Sequence, residues 1–88
     1  MNEQITMSTI NKDEILGKVK GVFKAAMGDN VEVDMNTEKP MVAEWDSLNH
    51  LNLVVELEST FGLDLSMKEI EELTSVKKIV EIISSRAA

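Results

Sequence analysis

Asp46-Ser47-Leu48 is the stretch of this sequence whose residue types best suit chemistry. A serine directly after a strong helix-capping residue stands exposed in the first helical turn, where unpaired amides and the positive end of the helix dipole favour an anionic adduct such as a phosphate ester. The same pair also reads as plain helix punctuation, with Asp46 as cap and Ser47 as an ordinary first-turn residue. His50 follows Ser47 at i+3 and invites a nucleophile-and-base pairing. No orienting carboxylate or oxyanion-donor pattern accompanies the two, and the strand-turn-helix setting of a hydrolase elbow is missing. Hydrolysis is therefore rejected, and His50 is expected at the surface or against a partner. Asp34, Asn36 and Glu38 have the spacing of a calcium loop, but Lys39 replaces its turn glycine and Trp45 falls where the bidentate Glu belongs. With no Cys and His50 as the single histidine, no metal site and no catalytic residue are expected.

The elements that must position Ser47 follow from hydrophobic period and caps. Asn11 and Glu14 have capping-box spacing, and Ile15, Leu16, Val19, Val22, Phe23, Ala26 and Met27 then recur at helical period up to Gly28. Gly17 and Gly21 inside this first helix each cost about 1 kcal/mol relative to Ala, which implies close packing there or a weak amino-terminal half. From Asp29 to Asp46 no pattern is long enough for an element. The stretch reads as a loop above the usual 12–15 residue limit, with a short strand at Val31 to Val33 as its one candidate element.

From Ser47 a second helix runs to Gly62, with Leu48, Leu51, Val54, Val55, Leu53, Leu57 and Phe61 forming one wide apolar stripe that predicts a largely enclosed helix. Ser66 and Glu69 make a capping box for a short helix through Leu73, and Ser75 caps a last helix that carries Val76, Ile79, Val80, Ile82 and Ile83. Arg86 suits that helix's negative carboxyl end. The expected fold is all-α: a small four-helix bundle of three main helices and one short one, with a long loop between helices one and two. Residues 1–10 are expected to be a mobile leader, in which Met7 and Ile10 are positioned to pack, and residues 11–86 the domain.

Composition bounds the function. At 88 residues the chain has room for one core. Lys and Arg number 9 against 16 Asp and Glu, a net charge of −7, which excludes the basic footprint that nucleic acid needs. Eight acids against Lys68 alone lie between Glu44 and Glu72. They read either as a solvated face or as a docking surface for basic partners. No window approaches the roughly 20 apolar residues of a membrane span, and no signal-peptide layout opens the chain, so a cytosolic monomer is expected.

The run of Trp45-Asp46-Ser47-Leu48, Leu53-Val54-Val55-Glu56-Leu57-Glu58, Phe61-Gly62-Leu63 and Leu73-Thr74-Ser75-Val76 resembles the second to fourth helices of acyl carrier proteins, in order. With the first helix, the likeness spans roughly Ile10 to Ser84. The resemblance implies that Ser47, flanked by Asp46 and Leu48, bears 4′-phosphopantetheine derived from coenzyme A, whose thiol holds acyl groups as thioesters. It implies as partners a phosphopantetheinyl transferase and acyl-transferring, acyl-activating or condensing enzymes with basic docking patches. It also implies docking through the positions of Asn49, Asn52, Glu56 and Glu58, and an acyl-chain interior lined by Val55, Leu57, Leu65 and Ile70. Those four are equally ordinary core residues.

Two departures stand out: Asn49 and Asn52 occupy positions where carriers of general fatty acid synthesis have acids, and Trp45 stands where a small residue is usual. They favour a dedicated fatty acid, polyketide or related pathway. Two other readings stay open, an aminoacyl or peptidyl carrier and an unmodified acidic helical interaction module.

Overall fold

The computed structural model describes residues 11–87, so the leader of residues 1–10, with Met7 and Ile10, lies outside the described residues. The helices are α1 (Lys12–Met27), α2 (Ser47–Phe61), α3 (Met67–Glu72) and α4 (Val76–Ala87), with one 3₁₀ turn at Lys39–Met41 between α1 and α2. The fold is the expected small all-α bundle.

Each helix starts where a side chain can take its orphan amides. Asn11 accepts from the Glu14 amide at 2.8 Å, Ser66 and Glu69 close a reciprocal capping box, and Ser75 Oγ accepts from the Lys78 amide at 3.1 Å. Gly62 ends α2 in the left-handed region, φ 65°, with its N–H on the Glu58 carbonyl. α1 lies between α2 and α4 and buries Ile15, Val19, Val22 and Phe23 against both. α4 buries Val76, Ile79, Val80 and Ile83 completely. α3 buries no residue completely; Ile70 packs partly buried against the core, and polar ties add to that contact.

Three expectations change. The space around an added Cβ at Gly17 and at Gly21 is open, so neither glycine serves close packing. No strand forms at Val31 to Val33; both valines are simply buried, and the bridge that does form pairs Glu38 with Ser75. Two main-chain bonds fix it, Lys39 N–H to Thr74 O and Val76 N–H to Thr37 O, each 2.9 Å. The long loop is thereby stitched to the start of α4. Asp34, weighed above as a calcium ligand, instead makes a local turn by accepting from the Asn36 amide. Finally, Arg86 does more than complement a dipole. It reaches back to Glu69 Oε1 at 2.6 Å and the Asp64 carbonyl at 2.8 Å, tying α4 to the first turn of α3 and to the connection before it.

Trp45 is the loop's main anchor. Its indole is 4% exposed and meets Phe23 of α1 edge-to-face, with centroids 5.0 Å apart. Burying a tryptophan removes enough apolar surface to contribute roughly 4–6 kcal/mol as an upper bound. The residue before Asp46 is therefore fixed in the core, and the chain emerges from it directly into α2.

Candidate functional site

Ser47 is the first residue of α2 and is exposed. Asp46 caps the helix through Oδ1, which accepts from the Asn49 amide at 2.9 Å, and the Asp46 carbonyl accepts from the His50 amide at 2.8 Å. Among the described residues, nothing accepts a hydrogen bond from the amides of Ser47 and Leu48. A phosphoester on Ser47 Oγ would stand beside these two free donors at the positive end of a four-turn helix, so the residues present fit such a group.

The hydroxyl has no base beside it. His50, expected at the surface, is instead part of the fold: Trp45 Nε1–H donates to its Nδ1 at 2.9 Å, and its Nε2 meets the Ile70 carbonyl of α3 at 2.9 Å. The indole N–H only donates and the carbonyl only accepts, so the two partners select the neutral ring with its proton on Nε2. Both nitrogens are engaged, which closes the nucleophile-and-base pairing on geometry. The signal was in the sequence. At about 100° per residue, position 50 shares the face of Leu53, Val54 and Leu57, the buried residues of α2.

The same angular argument corrects the picture of α2 as an enclosed helix. Leu48, Leu51 and Val55 form a second apolar set on the outward face, about 145° away, and they are 69%, 59% and 61% exposed. Helical period alone was read as one wide stripe; the apolar positions in fact fall into two groups. Of the expected interior residues, Leu57 and Leu65 are buried and Ile70 packs at the edge of the core, whereas Val55 faces outward beside Leu51. Val55 therefore lines no interior.

The expected docking residues divide as well. Asn52 is exposed and Glu56 half-buried on the flank of the apolar strip. Asn49 is committed to the fold, since its side-chain amide donates to the Glu44 carbonyl at 2.8 Å and its Oδ1 accepts from Asn52 at 3.1 Å. Glu58 is committed too: its carboxylate accepts from the Leu65 amide at 2.9 Å and fastens the α2–α3 connection. Further out, the backbone N–H of Ser66 and then the Arg86 guanidinium hold the Glu69 carboxyl below its ordinary range. A half-open cleft of about 160 Å³ lies on the other side of the loop, lined by Lys20, Lys24, Val31, Glu32 and Val33, and none of the residues around Ser47 contributes to it.

No helix among the described residues is long and apolar enough to cross a membrane. Residues 17–83 match the family described as "Phosphopantetheine attachment site". The chain is 31% identical over 75 residues to an acyl carrier protein of Rubrobacter xylanophilus, covering 84% of this chain and 93% of that one. It is 30% identical over 84 residues to an acyl carrier protein of Thermosynechococcus vestitus, covering 90% and 99%, and 31% identical over 77 residues to one of Cyanidium caldarium, covering 84% and 87%. No solved structure matches. A family match over most of the chain, with relatives aligned nearly end to end on a bundle of the expected kind, places the chain in the acyl carrier protein family, with a phosphopantetheine attachment domain and 4′-phosphopantetheine as its prosthetic group.

Proposed function

We propose that Ser47 bears the phosphopantetheine arm and that residues 11–86 are a carrier domain that presents thioester-bound acyl intermediates to successive enzymes in the cytosol. The observation that carries this reading is the exposed Ser47 hydroxyl at the head of α2, next to the free amides of Ser47 and Leu48 and held there by the Asp46 cap. In the loading step Ser47 Oγ forms a phosphoester bond as the pyrophosphate bond of coenzyme A breaks and adenosine bisphosphate leaves. The hydroxyl proton passes to the transferase, because His50 has no free nitrogen to receive it. When bound, the arm supplies a thiol for thioester exchange; the protein's own residues position and shield.

Partners are read by the outward face of α2. Leu48, Leu51 and Val55 offer an apolar strip next to Ser47, with Asn52 and Glu56 on its flank. An apolar contact centre with a thinly charged rim suits dedicated acyl-transferring or condensing enzymes of a specialised pathway better than a strongly basic patch. Cargo sheltering falls to Leu57, Leu65 and Ile70, the expected lining residues that face the core.

The test is intact-mass measurement after incubation with coenzyme A and a broad-specificity phosphopantetheinyl transferase. The wild type is expected to gain one arm and Ser47→Ala none, with unchanged helicity. An adduct that maps to Ser66 or Ser75 would overturn the assignment.

A further inference from the structure

One imidazole bridges three parts of the molecule. His50 sits on α2 one turn from Ser47, accepts from Trp45 at the end of the long loop, and donates to Ile70 on α3. Its ring lies nearly parallel to the indole, 17° between planes and 6.3 Å between centroids. The Ile70 carbonyl is one of the end-of-helix carbonyls that α3 cannot pair along its own ladder, and its other partner, the Leu73 amide, is 3.3 Å away. α3 buries no residue completely, and this bond adds to the packing of Ile70 on the core and to the Arg86 tie. On the loop side, the indole N–H is buried with Trp45 and needs an acceptor; His50 Nδ1 is the one it has.

We propose that His50 is a positioning residue for the modification of Ser47: by accepting from Trp45 it keeps the segment Glu44 to Asp46 ordered on α2 before the transferase arrives. This rests on Ser47 being the modified residue. Freed from its acceptor, the indole N–H seeks water, Trp45 withdraws partly from the core, and the segment that delivers Ser47 spends less time in the binding-competent arrangement. Apparent affinity falls in proportion to the competent fraction, whereas the chemical step in the assembled complex is unaffected. The loss of one hydrogen bond lowers the ratio of docked to undocked segment about three- to tenfold, so KM rises by up to that factor with kcat held.

The experiment measures transferase kinetics with the full chain as the varied substrate, together with indole emission. Trp45 is the single tryptophan and the chain has no tyrosine, so that emission reports this site alone. His50→Ala is expected to raise KM measurably, by up to about tenfold, keep kcat within about twofold and red-shift the emission. His50→Asn places an amide oxygen near the position of Nδ1 and is expected to restore both KM and emission. His50→Gln places a donor near Nε2, keeps the tie to Ile70 but not to Trp45, and is expected to behave as Ala does. Trp45→Phe removes the N–H that would be drawn to water, so adding His50→Ala to it is expected to raise KM no further with full helicity, and His50→Gln decides the matter if His50→Ala does not fold. Wild-type KM in His50→Gln, a further KM rise when His50→Ala is added to Trp45→Phe, or an equal KM rise in His50→Asn and His50→Ala, overturns the positioning role. Failure of the wild type to take the arm at Ser47 overturns the parent reading instead.

Discussion

The side-chain amide of Asn49 donates to the main-chain carbonyl of Glu44 at 2.8 Å while its backbone amide donates to Asp46 Oδ1 at 2.9 Å. One residue thus binds the last turn of the loop from two sides, and its side chain both donates to Glu44 and accepts from Asn52, which a carboxylate cannot do. The neutral residue that departs from the usual acidic pattern has a local structural use.

Asn49→Asp therefore weighs two effects. A carboxylate in the first turn of a helix gains about 0.3–1 kcal/mol from the dipole. Against this, the substitution deletes a donor worth about 1 kcal/mol and points a carboxylate at the Glu44 carbonyl, beside the carboxylate of Asp46. We expect a net loss of about 0.5–1 kcal/mol in urea denaturation, with Asn52→Asp near neutral because Asn52 is exposed. Equal or greater stability for Asn49→Asp would show that the Glu44 contact contributes nothing.

Gly17 and Gly21 are exposed α1 positions with open space at the missing Cβ. Replacing each with Ala costs no contact and removes unfolded-state freedom, so each is expected to add about 0.5–1 kcal/mol. The two lie one turn apart with no shared partner, and the double variant should add nearly the sum. Calorimetry of the single and double variants checks this; a decrease for either would mean that the glycine meets a group in solution.

Helix limits were legible because caps and stops are local: Asn11, Asp46, Ser66 and Ser75 each accept the amide three residues on, and Gly28 and Gly62 end their helices at positive φ. Ser47 was legible for the same reason, since its exposure follows from the cap before it. What could not be read locally is whatever joins residues far apart in the chain. Trp45 reaching Phe23, His50 reaching Ile70, and Arg86 reaching Glu69 and Asp64 are set by how the helices pack, and no spacing rule encodes them. The loop looked featureless because its order comes from buried Val31, Val33 and Trp45 and two bonds to the start of α4, not from a period.

The lowered Glu69 carboxyl gives a pH prediction with a definite sign. Its folded state prefers the charged form, first through the Ser66 amide and then through Arg86, so its contribution is fully present above the unfolded value near 4.5. It is lost as pH falls through the lowered folded value. Glu69→Gln keeps an acceptor for the Ser66 amide but removes the charge facing Arg86. The wild type should exceed the variant in stability by a small, constant margin from pH 6 to 8, and the margin should close towards pH 3. A margin that persists at pH 3 would mean that the carboxylate charge is not its source.

The outward strip of α2 separates stability from recognition. Leu51 and Val55 are 59% and 61% exposed, so truncating them to Ser removes little buried area and is expected to change stability by less than about 0.5 kcal/mol. If cognate condensing or acyl-transferring enzymes cover that strip, each truncation should cost about 1–2 kcal/mol of binding, a KM rise of roughly five- to thirtyfold. Charge changes on the flank act differently. Asn52→Asp alters a rim position, and its effect should stay within a few-fold and shrink as salt rises over a Debye length of about 10 Å at 0.1 M. Steady-state kinetics of the holo protein with such an enzyme, run at low and moderate salt, distinguishes the two contributions. A large, salt-sensitive gain from Asn52→Asp, with no penalty from Leu51→Ser or Val55→Ser, would move recognition from the apolar strip to charge and remove the case for a partner dedicated to this surface.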